Sequence, residues 1–443
     1  MSLVADLHLH SKYSRAVSQN MVLPTMARMA KIKGIDLLAT GDFTHPLWIK
    51  ELDSQLQEVS EGIYAVKNGE QSGSLARYIL GTEISCIYSQ GGKGRRIHVL
   101  VFTPNLATAH KINEAMSSAG CNLMSDGRPI IGLSAIQLCE LLFGIDDDIL
   151  VVPAHIWTPY FSLYGSKSGF DSIEECFGEF ADLIYAVETG LSSDPAMNWR
   201  IKDLDSRSIV SFSDAHSPPK LGRELTVFSN QLSVEKKTDF SYQDFVGVLK
   251  REGKWEITAT VEFYPEEGKY HYTGHRNCKV VQSPEETKKL GTTCPVCGRS
   301  LTVGVIHRVE QLAKREIGEK ELTITTSKEG VKMFRWQKRP AYMMLVPLLE
   351  ILAEVQGVGP SSKGVQSEYE RVVAQFGSEL TVLAKTPLTE LERVSGPRLR
   401  QAVEKVRKGD IFINPGYDGV FGVVKIWGEE EKLAAQPQQE SLF

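Results

Sequence analysis

The sequence predicts an α/β protein in three parts: an amino-terminal β/α barrel with a mainly parallel sheet, a small metal-binding module, and a helical carboxy-terminal region. Three observations carry this. Short apolar runs alternate with helix-like stretches from Leu3 to about Ser213, the pattern of strands joined by helical crossovers. Cys278, Cys294 and Cys297 cluster while Cys86, Cys121, Cys139 and Cys176 are scattered, and in a reducing compartment a cluster reads as a metal site and not as disulfides. From Tyr342 onward helical periodicity takes over, with Gly-Pro breaks at 359–360 and 396–397.

In chain order, strands are expected at 3–9, 34–40, 76–82, 95–102, 147–154, 182–188 and 208–213, each a short apolar, β-branched run. Helices are expected at 23–33, stopped by Gly34, and at 46–61, 107–119, 134–143 and 194–205. The number of repeats is that of a barrel. The stretch from Asp214 to about Asp239, with Pro218 and Pro219, reads as an exit loop. The parts then fall at 1–239 (barrel), 240–341 (metal module), 342–428 (helical region) and 429–443, a polar tail.

The chain has 443 residues and a net charge of -5, which argues weakly against a nucleic-acid partner. The charge is uneven, however: Lys269 to Leu345 holds 15 basic and 7 acidic side chains, the kind of local excess a phosphate backbone needs. No apolar run approaches the roughly 20 residues of a membrane span, so no membrane partner is expected. The start MSLVADLHLH lacks the features of a secretory signal, so a cytoplasmic location is expected.

Residues able to bind metal fall at the ends of the expected strands: His8 and His10, Asp42 and His45, Glu83, His98, His155, Glu188, then Asp214 and His216. A barrel gathers the carboxyl ends of its strands at one face, so these side chains should converge. Spacings of two, as in His8/His10 and Asp214/His216, place both side chains on one face of a strand. Imidazole with carboxylate suits zinc, manganese or iron, and a carboxylate can bridge two ions. Paired ions about 3.5–4 Å apart promote in-line phosphoryl displacement, so phosphoester hydrolysis is the chemistry that fits best.

At these residues the sequence resembles the PHP family, named for its polymerase and histidinol-phosphatase members, over about residues 1–216. The resemblance implies a distorted (β/α)7 barrel with two or three divalent ions (zinc, manganese or magnesium). It implies that His8, His10, Glu83 and Asp214 hold the first ion, Glu83, His98 and His155 the second, and His216 with Asp42 or His45 the third. Asp214, Glu83 and His216 would be the catalytic residues, and Glu188 would support the ligands from behind. The chain departs from the family where Tyr13, Ser14 and Arg15 stand in place of a further histidine, and in its Gly-Asp-Phe-Thr-His sequence at 41–45.

Two knuckles, His275/Cys278 and Cys294/Cys297, each with ligands three apart, fit one tetrahedral zinc with no open position, a structural ion. His271 and His307 are substitutes for His275 without the knuckle spacing. Residues 348–373 read either as an αα-hairpin with a Gly-Pro turn or as a segment that resembles the helix-hairpin-helix of DNA-binding proteins; 388–409 is a weaker copy. In the second reading backbone N–H groups approach phosphates without reading sequence. The terminal Gln439 to Phe443 resembles the short peptide with which bacterial sliding-clamp partners dock, apolar anchors on an unstructured tail.

The order of barrel, zinc module and helix-hairpin-helix-like end resembles endonuclease Q across nearly the whole chain. That resemblance implies cleavage of DNA 5′ of deaminated bases (deoxyinosine, deoxyuridine, xanthine) and abasic sites. Trp157, Tyr160, Phe161 and Tyr164 could stack on an extruded base or pack in the core. Two other functions compete: a small-molecule phosphatase like histidinol phosphatase, and a noncatalytic clamp-associated DNA-binding scaffold.

Overall fold

One face of each of seven strands is apolar and turns toward a shared interior, while the other face is covered by helices. The computed structural model describes residues 2–67, 76–230 and 240–428. The strands are β1 (Ser2–Asp6), β2 (Leu37–Ala39), β3 (Arg77–Gln90), β4 (Lys93–Thr103), β5 (Leu150–Pro153), β6 (Ala186–Glu188) and β7 (Ser208–Val210). Leu3, Ala5, Leu37, Ala39, Ile79, Leu100, Phe102, Val152, Ala186 and Val210 share the interior core. Their neighbours of opposite parity, among them Val4, Leu38, Tyr78, Val99, Val151 and Ile209, join the helices in a second core. That parity follows from the two-residue repeat of a strand. Each fully buried aliphatic side chain contributes about 1.5–3 kcal/mol of transfer free energy, so a one-residue slip of any strand would be opposed on both faces.

The sheet is mixed, where a mainly parallel one was expected. β1, β2 and β3 run parallel, but β3 and β4 form a long antiparallel hairpin and β4 pairs antiparallel with β5, while β6 and β7 pair in parallel as a separate two-stranded sheet. The turn explains the hairpin: Gly91 and Gly92 have φ of 60° and 73°, the positive pair that a two-residue hairpin turn requires.

Helices α1 (Leu23–Lys33), α2 (Pro46–Gln55), α3 (Leu106–Ser118) and α4 (Ala135–Phe143) form close to the expected places. α1 carries Pro24 in its first turn and ends at Gly34 in the left-handed region. The helix expected at 46–61 stops at Gln55, because Leu56–Ser60 pairs antiparallel with Ile63–Val66 through a turn at Gly62. The helix expected at 194–205 is reduced to Pro195–Trp199 and one short turn at Lys202–Leu204.

The boundary expected at 239/240 is not a break in packing. The expected exit loop contains β8 (Leu225–Asn230), antiparallel to β1, and β9 (Trp255–Glu262) extends the same sheet. Helix Tyr242–Lys250 sends Tyr242, Phe245, Val248 and Leu249 into the interior core. Strand Ala341–Met344 then adds to β9 in parallel. Between these lie the cysteine knuckles, held by the short pair Thr273–His275 and Val280–Gln282.

Helices Leu348–Gln356, Lys363–Phe376, Glu379–Ala384 and Leu388–Lys408 build the carboxy-terminal region, and the last is broken at Gly396 (φ 80°) before Pro397. Buried Lys33 of α1 pairs with Glu379 at 2.6 Å. Glu379 also accepts from Tyr369 Oη (2.5 Å) and Leu348 N (3.0 Å), so every oxygen of this interior carboxylate is used. Among the described residues no helix is long and apolar enough to cross a membrane. The tail, with Gln439 to Phe443, lies outside the described residues.

Candidate metal centres

β1 runs into His8 and His10, and β7 into Asp214 and His216. Parallel bridging of Leu9 with Ala215 ties the two segments together. Asp6 fixes the second one: it accepts from Ser213 N and Oγ (3.0 and 2.6 Å) and from Gly222 N (2.8 Å). Burial raises its carboxyl to about 6, against the pull of the Ser213 and Gly222 donors. The chain turns sharply as it leaves the strands, with Asp42, His155 and Asp214 all at positive φ (50°, 32° and 47°), a conformation that carries a backbone cost at non-glycine residues. Gly190 permits one such turn, since a Cβ there would lie 2.3 Å from that of His155.

The result is two donor groups sharing Glu83. His8, His10, Glu83 and Asp214 each place a ligand atom within 4.8 Å of the others, and Glu83, His98 and His155 do the same. Glu83 Oε2 faces the first group, 3.2 Å from His10 Nε2 and 3.6 Å from His8 Nε2. Oε1 faces the second, 2.6 Å from His98 Nδ1 and 3.1 Å from His155 Nε2. Asp214 Oδ1 lies 3.4 and 3.1 Å from the Nε2 atoms of His8 and His10. Ligand atoms about 2.0–2.2 Å from one ion stand apart by distances of this order. Buried His8 Nε2 has no hydrogen-bond partner among the described residues, which fits a lone pair aimed at a cation.

Two further carboxylates set the rings. Glu188 holds His8 Nδ1 with both oxygens (2.9 and 3.0 Å) and takes the His155 backbone N–H (2.8 Å). Asp42 Oδ1 holds His10 Nδ1 at 3.1 Å, and its Oδ2 accepts from Ser11 N, Ser11 Oγ and Ser14 Oγ. Each fixes the Nδ1–H tautomer and leaves Nε2 for the centre. Asp42 is thus spent on orientation. His45 is also turned away: its Nδ1 accepts from Leu47 N at the start of α2, and its ring stacks on Tyr13. His216 sits 4.7 Å, ring to ring, from His10, with Nδ1 on the Asp214 carbonyl (2.8 Å). No third donor group with His216, Asp42 or His45 forms among the described residues.

Burial opposes charge on His8 and His10, but the carboxylates around them outweigh it and hold both well above the ordinary imidazole range. Glu83 is held well below the usual range despite burial, by His98, Arg128 and His8, and Asp214 is likewise depressed by His8 and His10. Burial wins at His98, lowering it to about 4 against the attraction of Glu83. Arg128, which no sequence pattern marked, reaches Glu83 Oε2 at 3.0 Å and remains partly exposed. Asp6 was equally unmarked, although it lies two residues before His8.

Beside the second group opens a cavity of about 300 Å³ lined by His98, His155, Tyr160, Phe161, Tyr270 and His271. Trp157 and Tyr164 are not in it. Both are fully buried, bonded to Asn198 and Asp203, and packed on each other. His271 is pushed down to about 4 by burial, and its Nδ1 has no partner among the described residues.

At the knuckles, ligand atoms of His275, Cys278, Cys294 and Cys297 all lie within 4.8 Å of one another, and all seven cysteines of the chain are unbridged. A tetrahedral zinc with bonds of about 2.3 Å needs sulfurs about 3.8 Å apart, so the donor set fits. His271 and His307 stand outside it.

Residues 347–410 match the family model of the MJ0043 C-terminal domain. The uncharacterized protein MJ0043 of Methanocaldococcus jannaschii is 33% identical over 289 residues, 65% of this chain but 32% of that protein, so the chain matches about a third of that relative's length. The uncharacterized protein YqxK of Bacillus subtilis is 31% identical over 439 residues, covering 96% of this chain and 99% of its own. Among solved structures, the lesion-specific endonuclease PfuEndoQ from Pyrococcus furiosus superposes with a TM-score of 0.79 at 30% identity, over 98% of this chain and 100% of that one. Endonuclease Q in complex with a 27-mer duplex bearing an abasic lesion at the active site superposes with a TM-score of 0.80 at 31% identity, over the full length of both chains.

Proposed function

The chain belongs to the endonuclease Q family, and from that premise we propose that it is a metal-dependent DNA endonuclease that cuts 5′ of abasic sites and deaminated bases. One observation carries the reading: two donor groups share the single carboxylate of Glu83 beside a cavity of about 300 Å³. A PHP-type barrel with two ions is the arrangement this supports. Ions held there would supply Lewis acidity and an activated water.

The chain's own residues divide the remaining work. Glu83 keeps the two groups in register through its two oxygens, and Asp214 closes the first. His216 donates Nδ1–H to the Asp214 carbonyl, so its Nε2 is left to take or give a proton at the reacting oxygens. Arg128 sets a positive charge against Glu83. An extruded base or abasic sugar would enter the cavity, where Tyr160 and Phe161 offer aromatic surface and His271 an unpaired nitrogen. The helical turns at 357–362 and 396–397 serve as phosphate grips, the knuckles hold a structural zinc, and Gln439 to Phe443 docks on a sliding clamp.

End-labelled duplexes carrying uracil, inosine, an abasic site or no lesion test this with manganese or magnesium present. Nicking on the 5′ side of the lesions alone is expected, and Asp214→Ala should abolish it while duplex binding persists. Phosphate release from small phosphomonoesters without nicking would favour the phosphatase instead.

A further inference from the structure

A concentration of positive charge lies at the end of the barrel away from the metal centre. Ser208 begins β7, six residues before Asp214, and Trp255 begins β9, which runs parallel to β1 because each is antiparallel to β8. At about 3.3 Å per residue, these strand starts are roughly 20 Å from the metal centre. Between them opens a cleft of about 400 Å³, into which the Arg335–Pro340 turn brings Arg335, Lys338 and Arg339 to meet Arg251.

The positive charge there is not matched. Asp205 is shared: Arg315 and Arg339 both bond its Oδ1, and Arg251 donates to its backbone carbonyl at 2.8 Å. Glu252 and Glu256 also line the cleft, so that with Asp205 three carboxylates stand against Arg251, Arg315, Arg335, Lys338 and Arg339. Arg335 and Lys338 are exposed, and neither side chain has a hydrogen-bond or ion-pair partner among the described residues. Burial and the nearby Arg339 press Arg251 down to about 10, against the pull of Asp205. Trp199, Trp255 and Ile257 supply apolar wall, and the volume is within the range of small-ligand sites.

We propose that this cleft is a second phosphate-binding site, in which Arg335, Lys338, Arg339 and Arg251 grip a phosphoryl group of a nucleotide far from the bond that is cut. Guanidinium and ammonium donors converging on one opening suit phosphate oxygens. A strand crossing the metal centre would have to wrap the barrel to reach it, so the site is an independent one. The phosphoryl group comes either from a free nucleotide or from the backbone of bound DNA.

Calorimetric titration of the full-length protein and of an R335Q/K338Q variant separates these sources, with inorganic phosphate, dAMP and a lesion-free duplex as probes. Both substituted side chains are exposed, so the variant should keep its melting temperature. The wild type should bind, and the variant should be weaker by about tenfold or more, the worth of one or two charge-assisted bonds. A loss seen with dAMP assigns a free nucleotide. A loss confined to the duplex, with a shallower salt dependence, assigns the DNA backbone. Equal affinity of wild type and variant for all three probes overturns the proposal. Nicking is read separately on abasic duplex, so failure here leaves the endonuclease reading standing.

Discussion

Glu83 is where the chemistry of single residues concentrates. Its two oxygens face different donor groups, and its neighbours are set by carboxylates behind them. Glu188 fixes His8 through Nδ1. Substituting Glu188 by Gln should therefore weaken manganese or zinc binding by about 10- to 100-fold with the fold intact, as read by titration calorimetry; unchanged affinity would show that His8 orients itself. A second expectation concerns pH. The carboxylates raise His8 and His10 well above the ordinary range, and an ion must displace those protons. Metal affinity should then rise with pH, with protons released on binding, which titrations in buffers of different ionisation enthalpy measure. His8 and His10 were legible in the sequence because they follow directly on a strand, and a spacing of two in extended backbone forces a shared face. Arg128 and Asp6 were not, since a loop arginine and a strand carboxylate carry no periodic signal. Asp42 and His45 show the converse: their chemistry suits a ligand, but local serines and the start of α2 claim their side chains first.

At the level of elements, a buried ion pair joins α1 to the carboxy-terminal helices. Lys33 and Glu379 are 346 residues apart in sequence and both almost fully buried. Glu379→Ala would strand the ammonium of Lys33, and breaking such a pair costs about 3–5 kcal/mol. Urea unfolding measures this, and a loss below about 1 kcal/mol would mean that water reaches the site. Lys33→Met with Glu379→Leu should recover most of it. Helices α1 to α4 were legible because their apolar spacing and stop signals agree. The segment at 56–60 was not, because Leu56 and Val59 satisfy helical spacing while pairing with Ile63–Val66 decides the outcome. β8 was hidden in the same way: prolines at 218 and 219 read as a loop, yet the open edge of β1 captures the next apolar run.

For the whole molecule, the sequence divided the chain by composition, whereas the fold divides it by packing. β9, past the expected boundary at 239/240, and Ala341–Met344, across the one at 341/342, extend the sheet that holds β1 beyond both, since a strand edge can be completed by any later segment. The knuckles remain a local unit, so Cys294→Ser should lose one equivalent of bound metal and loosen residues around 275–297. Elemental analysis with hydrogen exchange checks both, and a full metal count would place that ion elsewhere. The most direct test of the central claim is anomalous diffraction from crystals soaked in manganese. Two peaks about 3.5–4 Å apart, one on each side of Glu83, are expected, and both should fade in Glu83→Gln. Peaks away from Glu83, or none among His8, His10, His98, His155 and Asp214, would contradict the account.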